Sequence, residues 1–230
     1  ASHAIGGSYQ GIPIGNCKYS DITVFSFHPV KIVTTAEGGA ALTNDHELAE
    51  KMALYRSHGI TRDQNMMTEP SHGSWYYQQI KLGYNYRMTD VQAALGVSQM
   101  RRLSEFVSKR HHIARRYDRL LIGLPVEIPY QLDDTYSGLH LYVIRLKLDE
   151  IDRSHKQVFE GLREKGIGVN VHYIPVHLQP YYAAMGFQQG DFPESEKYYS
   201  EAISLPMYPN LSEDDQDRVV EALRSLVVSK

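Results

Sequence analysis

Residues 21–44, DITVFSFHPVKIVTTAEGGAALTN, constrain this chain more than any other stretch. The run opens with Ile22, Val24, Phe25 and Phe27, β-branched and aromatic residues that predict a buried strand. It closes with a second apolar run at 40–43. Between them lies a polar loop with one lysine, Lys31, and the pair Gly38 and Gly39. The first strand carries Ser26 to its end, and Lys31 follows on a short tether. A lysine so placed can be held against a bound ligand, and where desolvated it can act as a nucleophile or base. Pro29 stiffens the approach by fixing φ. Gly38 and Gly39 let the backbone pass close to a planar ligand. Taken alone, a loop lysine is more often a solvated charge.

The rest of the chain narrows the class. Its 230 residues suffice for one large domain or two small ones. The net charge of -3, from 24 Lys+Arg against 27 Asp+Glu, gives no basic excess for nucleic acid and no like-charge tail. A single cysteine, Cys17, excludes an intramolecular disulfide and fits a reducing compartment. No apolar run approaches the roughly 18 residues of a membrane span. Residues 1–15 lack the basic start and apolar core of a signal peptide. The expectation is a soluble, cytoplasmic protein.

Asn44 and Glu47 have the spacing of a capping box, opening a helix with Leu48, Met52 and Tyr55 that Gly59 closes. Residues 60–82 are irregular but hold Trp75, Tyr76 and Tyr77, which favours an ordered lid or a subunit contact over disorder. Thr89 and Gln92 form a second capping box. Leu95, Leu103, Phe106, Ile113, Tyr117 and Leu120 then predict one long helix, ended by Gly123 and long enough to connect two domains. We therefore expect a large domain over 1–123 and a smaller α+β domain over 124–230. In the latter, residues 140–148 alternate as a strand and Ser154 with Gln157 caps a helix that Gly166 ends. Residues 169–174 read as another strand, and Ser212 starts a last helix with Val219, Val220, Leu223, Leu226 and Val227 on its apolar face. His172 and His177 invite a metal reading, but no nearby carboxylate or cysteine completes a tetrahedral set, so none is expected.

The run Ser26-Phe27-His28-Pro29-Val30-Lys31, with Thr34-Thr35-Ala36-Glu37-Gly38-Gly39-Ala40 after it, resembles the cofactor-lysine segment of the DegT/StrS-type sugar aminotransferases. The likeness extends over nearly the whole chain: Gly83-x-Asn85-x-Arg87-Met88 and His172-Tyr173-x-Pro175-x-His177 match later segments of that family. It implies an α/β chain, the C-terminal portion of a PLP-dependent transferase of fold type I. The chain would comprise the rest of a large mixed-sheet domain, a long connecting helix and a small α+β domain. It also implies that Lys31 forms the Schiff base with pyridoxal 5'-phosphate and that Ser26 binds the phosphate. His3 would lie beside the cofactor ring. Asn85 would reach the phosphate in a neighbouring subunit of a homodimer with shared active sites. Arg87, His172, Tyr173 and His177 would face the sugar nucleotide.

The likeness is strongest to one subgroup, which aminates C4 of a UDP-linked 4-keto-6-deoxy-N-acetylhexosamine from L-glutamate on the route to pseudaminic acid. A different nucleotide-linked keto sugar, or a non-catalytic relative, is the alternative. The superfamily's sugar dehydratases replace the lysine by histidine, and Lys31 argues against them. The family's aspartate for the pyridine nitrogen would fall one position before Ala1. The resemblance therefore implies that residues 1–230 alone would not transaminate.

Overall fold

The computed structural model describes residues 1–228. In chain order the first elements are β1 Ser8–Tyr9, β2 Ile12–Pro13, β3 Thr23–Ser26, β4 Gly39–Leu42, α1 His46–Arg56, β5 Ile60–Thr61, β6 Gln78–Gln79 and α2 Asp90–Met100. There follow α3 Leu103–Leu120, β7 Val126–Glu127, β8 Thr135–Tyr136, β9 Tyr142–Leu146 and α4 His155–Glu164. The chain ends with α5 Pro180–Ala183, α6 Pro193–Glu201, β10 Ala202–Leu205 and α7 Glu213–Val227. Among the described residues, no helix is long and apolar enough to cross a membrane.

The chain forms two compact units. One comprises Ala1–Ser104 with Asp134–Gly138, the other Glu105–Asp133 with everything from Leu139 on. The expected boundary at 123/124 and this one at 104/105 differ by the length of α3.

The second unit holds most of the core. β9 lies between β10 and β7, antiparallel to both, with Ile203 opposite Ile144 and Val126 opposite Leu146. The alternation read from the sequence holds within β9, where Tyr142, Ile144 and Leu146 point inward, but the strand is shorter than 140–148, and Leu148, expected on the same face, lies beyond it and is exposed. Ile113 and Tyr117 of α3, Val158 and Leu162 of α4, and Val219 and Leu223 of α7 complete one apolar cluster. Each such side chain contributes about 1.5–3 kcal/mol on burial. Arg110 sits on the same buried stripe of α3, 4% exposed, and donates to the carbonyls of Leu139, His140 and Met207 at 3.0–3.1 Å. Desolvation lowers its pKa to about 10.

The first unit is built from short antiparallel ladders. β1 pairs with β2 and with β8, β3 with β4, and β5 with β6. The β5–β6 pair closes the loop 62–77. The Gln78 side chain orders that loop by accepting from the Thr68 N–H at 2.7 Å and donating to the Glu69 carbonyl at 2.9 Å. An apolar groove of about 520 Å³ runs between the loop after β3 and α2, lined by Phe27, Val33, Met88, Val97 and Met100.

Four expectations change. β3 is buried on one face only: Thr23 and Phe25 are inside, whereas Val24 is 51% exposed. The cap of α1 is Asp45, whose carboxylate accepts from the Leu48 N–H, while Asn44 donates to the Asn16 carbonyl. The single long helix is two, interrupted at Arg101 and Arg102. α2 buries none of its residues, whereas α3 buries six, so the two halves serve different surroundings. Residues 169–174 form no strand. Only Asn170 bridges Ser204, after which His172 bonds the Ser204 side chain instead.

Candidate active site

β3 and β4 run in register from Thr23 opposite Leu42 to Ser26 opposite Gly39, so the intervening loop leaves and returns at one place. The Phe27 N–H donates to the Gly38 carbonyl at 2.8 Å and closes its base. The Phe27 carbonyl accepts from the Thr35 N–H at 3.0 Å and the Thr34 hydroxyl at 3.2 Å. At the tip, the Lys31 N–H donates to the His28 carbonyl at 2.9 Å. Lys31 is half-buried, and Ile32, Val33 and Thr35 behind it are buried. An amine on such a tip is anchored through its backbone while its side chain stays reachable.

The loop is also braced from the side. The Thr35 hydroxyl donates to the Glu37 carbonyl at 2.8 Å, and the Gln92 amide of α2 donates to the same carbonyl at 3.0 Å. The capping box of Thr89 and Gln92 forms as read from the sequence. The need for glycine at 38 and 39 has a nearer cause than a passing ligand. A Cβ on Gly38 would collide with Thr35 Oγ1 and lie 2.7 Å from Met88 Cε, and one on Gly39 would lie 2.7 Å from the Phe25 carbonyl.

Of the other candidate residues of this unit, His3 and Arg87 adjoin residues packed against the loop, whereas Asn85 does not. Gly138 lies where a Cβ would be 2.6 Å from the Ile5 carbonyl, 2.9 Å from Ile32 Cδ1 and 3.5 Å from the His3 carbonyl. The segment of His3, which is exposed, therefore meets the residue next to Lys31 over one glycine. Arg87 is exposed and adjoins Met88, which touches Gly38. Asn85 is exposed and bridges Ser57. The rings of Tyr84 and Tyr86 on either side of it stack at 4.9 Å.

His172, Tyr173 and His177 belong to the second unit. His172 Nδ1 lies 2.7 Å from the Ser204 hydroxyl, and its ring meets Tyr173 edge-on at 4.5 Å. Tyr173 is exposed, whereas His177 is buried with Nε2 2.8 Å from Glu196 Oε1. Hydrogen bonds from His177 and from the Gly190 N–H hold the Glu196 carboxyl below the usual carboxylate range. Three contributors escaped the sequence reading. Glu196 gave no signal. The second bond of Gln92 crosses 55 residues. Arg110 could have been found as the one charge on the stripe of Phe106, Ile113 and Tyr117. No group of three or more His, Cys, Asp or Glu among the described residues could hold a metal ion.

This donor set suits a phosphate-bearing aldehyde. Lys31 offers an amine. Ser26 Oγ accepts only a long bond, 3.5 Å, from the His28 N–H, so its own proton is available to an anion.

Known proteins resemble this chain over nearly all of it. The DegT/DnrJ/EryC1/StrS aminotransferase family matches residues 1–224. SpsC of Bacillus subtilis, a spore coat polysaccharide biosynthesis protein, is 38% identical, the match covering 99% of this chain and 58% of SpsC. A UDP-4-amino-4,6-dideoxy-N-acetyl-beta-L-altrosamine transaminase of Campylobacter jejuni is 35% identical over 99% of this chain and 57% of its own length. Among solved structures, Helicobacter pylori PseC, an aminotransferase of pseudoaminic acid biosynthesis, superposes with a TM-score of 0.87 at 33% identity, covering 98% of this chain and 57% of PseC. Spr1654 of Streptococcus pneumoniae in its PMP form gives a TM-score of 0.87 at 31% identity, over 98% of this chain and 55% of Spr1654; a PLP form is also known. The chain thus spans a little over half the length of these relatives, and its α/β fold is the C-terminal portion of theirs.

Proposed function

The chain belongs to the DegT/DnrJ/EryC1/StrS aminotransferase family, and we propose that its protein transfers an amino group from L-glutamate to C4 of a UDP-linked 4-keto-6-deoxy-N-acetylhexosamine. The observation that carries this reading is Lys31 at the tip of a loop closed by Phe27 and Gly38 and braced by Gln92, with Ser26 at the strand end. Pyridoxal 5'-phosphate, when bound, supplies the electron sink for charge at the carbon that loses a proton. The chain does the rest. Lys31 Nζ would hold the cofactor through its aldehyde, and its amine would serve as the base that takes the proton from Cα of glutamate and as the acid that delivers one to C4 of the sugar. Ser26 Oγ donates to the phosphate, and His3 lines the ring. Asn85 serves the phosphate of a second copy, so the protein works as a homodimer with shared sites, in the cytoplasm. Arg87, His172 and Tyr173 belong to the sugar side, whereas His177, expected there from the resemblance, is buried with its Nε2 on Glu196.

The identities of 35% to the Campylobacter transaminase and 33% to PseC support the choice of sugar. The slightly higher identity to SpsC favours a second reading, in which the acceptor is another nucleotide-linked keto sugar. The test is to supply the full-length protein with pyridoxal phosphate, L-glutamate and UDP-4-keto-6-deoxy-N-acetylhexosamine. Formation of 2-oxoglutarate with the UDP-4-amino sugar supports the first reading. Turnover only with other nucleotide keto sugars supports the second.

A further inference from the structure

The second unit exposes an aromatic stretch that one buried pair underpins. Tyr173 is 62% and Tyr181 69% exposed, and Ile174 and Val176 are open as well. His177, in their midst on the 3-10 turn Val176–Leu178, is only 8% exposed. Its Nε2 meets Glu196 Oε1 at 2.8 Å, and the same oxygen accepts from the Gly190 N–H at 2.8 Å. Glu196 lies in the first turn of α6, where a carboxylate is favoured by the free N–H groups of the helix end. Phe192 packs its ring 4.8 Å from that of His177, and Phe187 lies 6.1 Å from Phe192. One carboxylate oxygen therefore ties three pieces together: the 3-10 turn, the loop around Gly190 and the start of α6.

Such a pair has no reach toward a ligand. The Nε2 of His177 is occupied and its ring is covered, so it cannot hydrogen-bond a sugar through that atom. What it does is fix the backbone from which Tyr173, on one side, and Tyr181, on the other, project. Aromatic faces so held are the surfaces that stack on a base or on the apolar face of a sugar ring.

We propose that Glu196 is a positioning residue for the keto-sugar nucleotide: through His177 and the Gly190 N–H it fixes the exposed aromatic stretch 173–182, and His177 is a strut rather than a ligand contact. This rests on the function proposed above. Truncating Glu196 leaves Lys31 and the amino-donor half of the reaction untouched. It loosens only the surface that receives the sugar nucleotide.

The test uses full-length protein with pyridoxal phosphate and compares Glu196→Ala, Glu196→Gln and His177→Ala with wild type. Gln keeps an acceptor oxygen for both donors. Glu196→Ala and His177→Ala are expected to raise KM for the UDP keto sugar about tenfold to a hundredfold, with little change in kcat. The bleaching of the visible cofactor band by L-glutamate stays as in wild type, and Glu196→Gln recovers most of the loss. Independently of turnover, amide hydrogen exchange over 176–192 should quicken in Glu196→Ala and remain near wild type in Glu196→Gln. An unchanged KM in Glu196→Ala overturns the proposal. So does a parallel loss of the glutamate response, and so does a KM effect confined to His177→Ala, which would make His177 a direct contact. If wild type itself ignores glutamate or the UDP keto sugar, the proposed function fails, and the exchange experiment still decides whether Glu196 orders the stretch.

Discussion

Gln92 donates its side-chain amide to the carbonyl of Glu37 at 3.0 Å, tying the first turn of α2 to the loop that presents Lys31. The same side chain accepts from the Thr89 N–H at 3.0 Å, so one residue caps a helix and braces the lysine loop. Gln92→Ala should lose both roles. We expect a stability loss of about 1–2 kcal/mol and weaker retention of pyridoxal phosphate. Gln92→Glu keeps the cap but lacks the donor and sets a carboxylate against the Glu37 carbonyl, so it should keep only the cap's share of the stability while cofactor retention falls. Denaturant titration and cofactor dialysis of the two variants separate the roles.

Gly38→Ala is a harsher change than its size suggests. Its Cβ would press on Thr35 Oγ1 and stand 2.7 Å from Met88 Cε, and Thr35 is the residue that closes the loop onto Phe27. Overpacking of this kind costs about 1–3 kcal/mol. Activity should fall more steeply than stability, because the strain falls on the loop that holds Lys31. Thermal melts and steady-state rates on the same preparation check this.

Arg110 should be the most costly polar truncation in the second unit. Its Nη1 serves three carbonyls, those of Leu139, His140 and Met207. Arg110→Ala removes that donor and leaves space on a buried helix face, at a cost of roughly 3–5 kcal/mol. An equilibrium unfolding midpoint within error of wild type would refute the assigned role.

The second unit should weaken on alkaline titration. Burial first, then the hydrogen bond to Asp118 at 2.6 Å, raises the Tyr142 hydroxyl above the usual phenol range, and burial does the same for Tyr117. Both folded-state values lie above the unfolded value of roughly 10, so their stabilisation is complete below that pH and is lost as pH rises beyond it. Arg110 acts in the opposite sense. Its folded value of about 10 lies below the ordinary arginine value, so it favours folding as pH climbs between the two. Two tyrosines against one arginine give a net loss of stability above roughly pH 10. Urea midpoints across that range should fall in wild type and fall less in Tyr142→Phe.

Much of the fold is readable in the sequence, and what is not has physical causes. Three caps, those of Thr89, Ser154 and Ser212, form where the spacing put them, because a cap depends only on neighbours three residues away. The cap at 44 slipped by one residue, since Asn44 found a partner in Asn16, 28 residues off. β9 showed its period, but β3 did not reveal that Val24 would stay exposed, since burial there depends on what lies across the sheet. The lysine loop was legible as a motif. Its brace from Gln92 and the strut from Glu196 to His177 were not, because each joins segments far apart in sequence.

The account stands on Lys31. Full-length protein incubated with pyridoxal phosphate, reduced with borohydride, digested and mapped should carry the pyridoxyl label on Lys31 alone, and Lys31→Ala should carry none and have no turnover. A label on a different lysine, or undiminished labelling of Lys31→Ala, would contradict it.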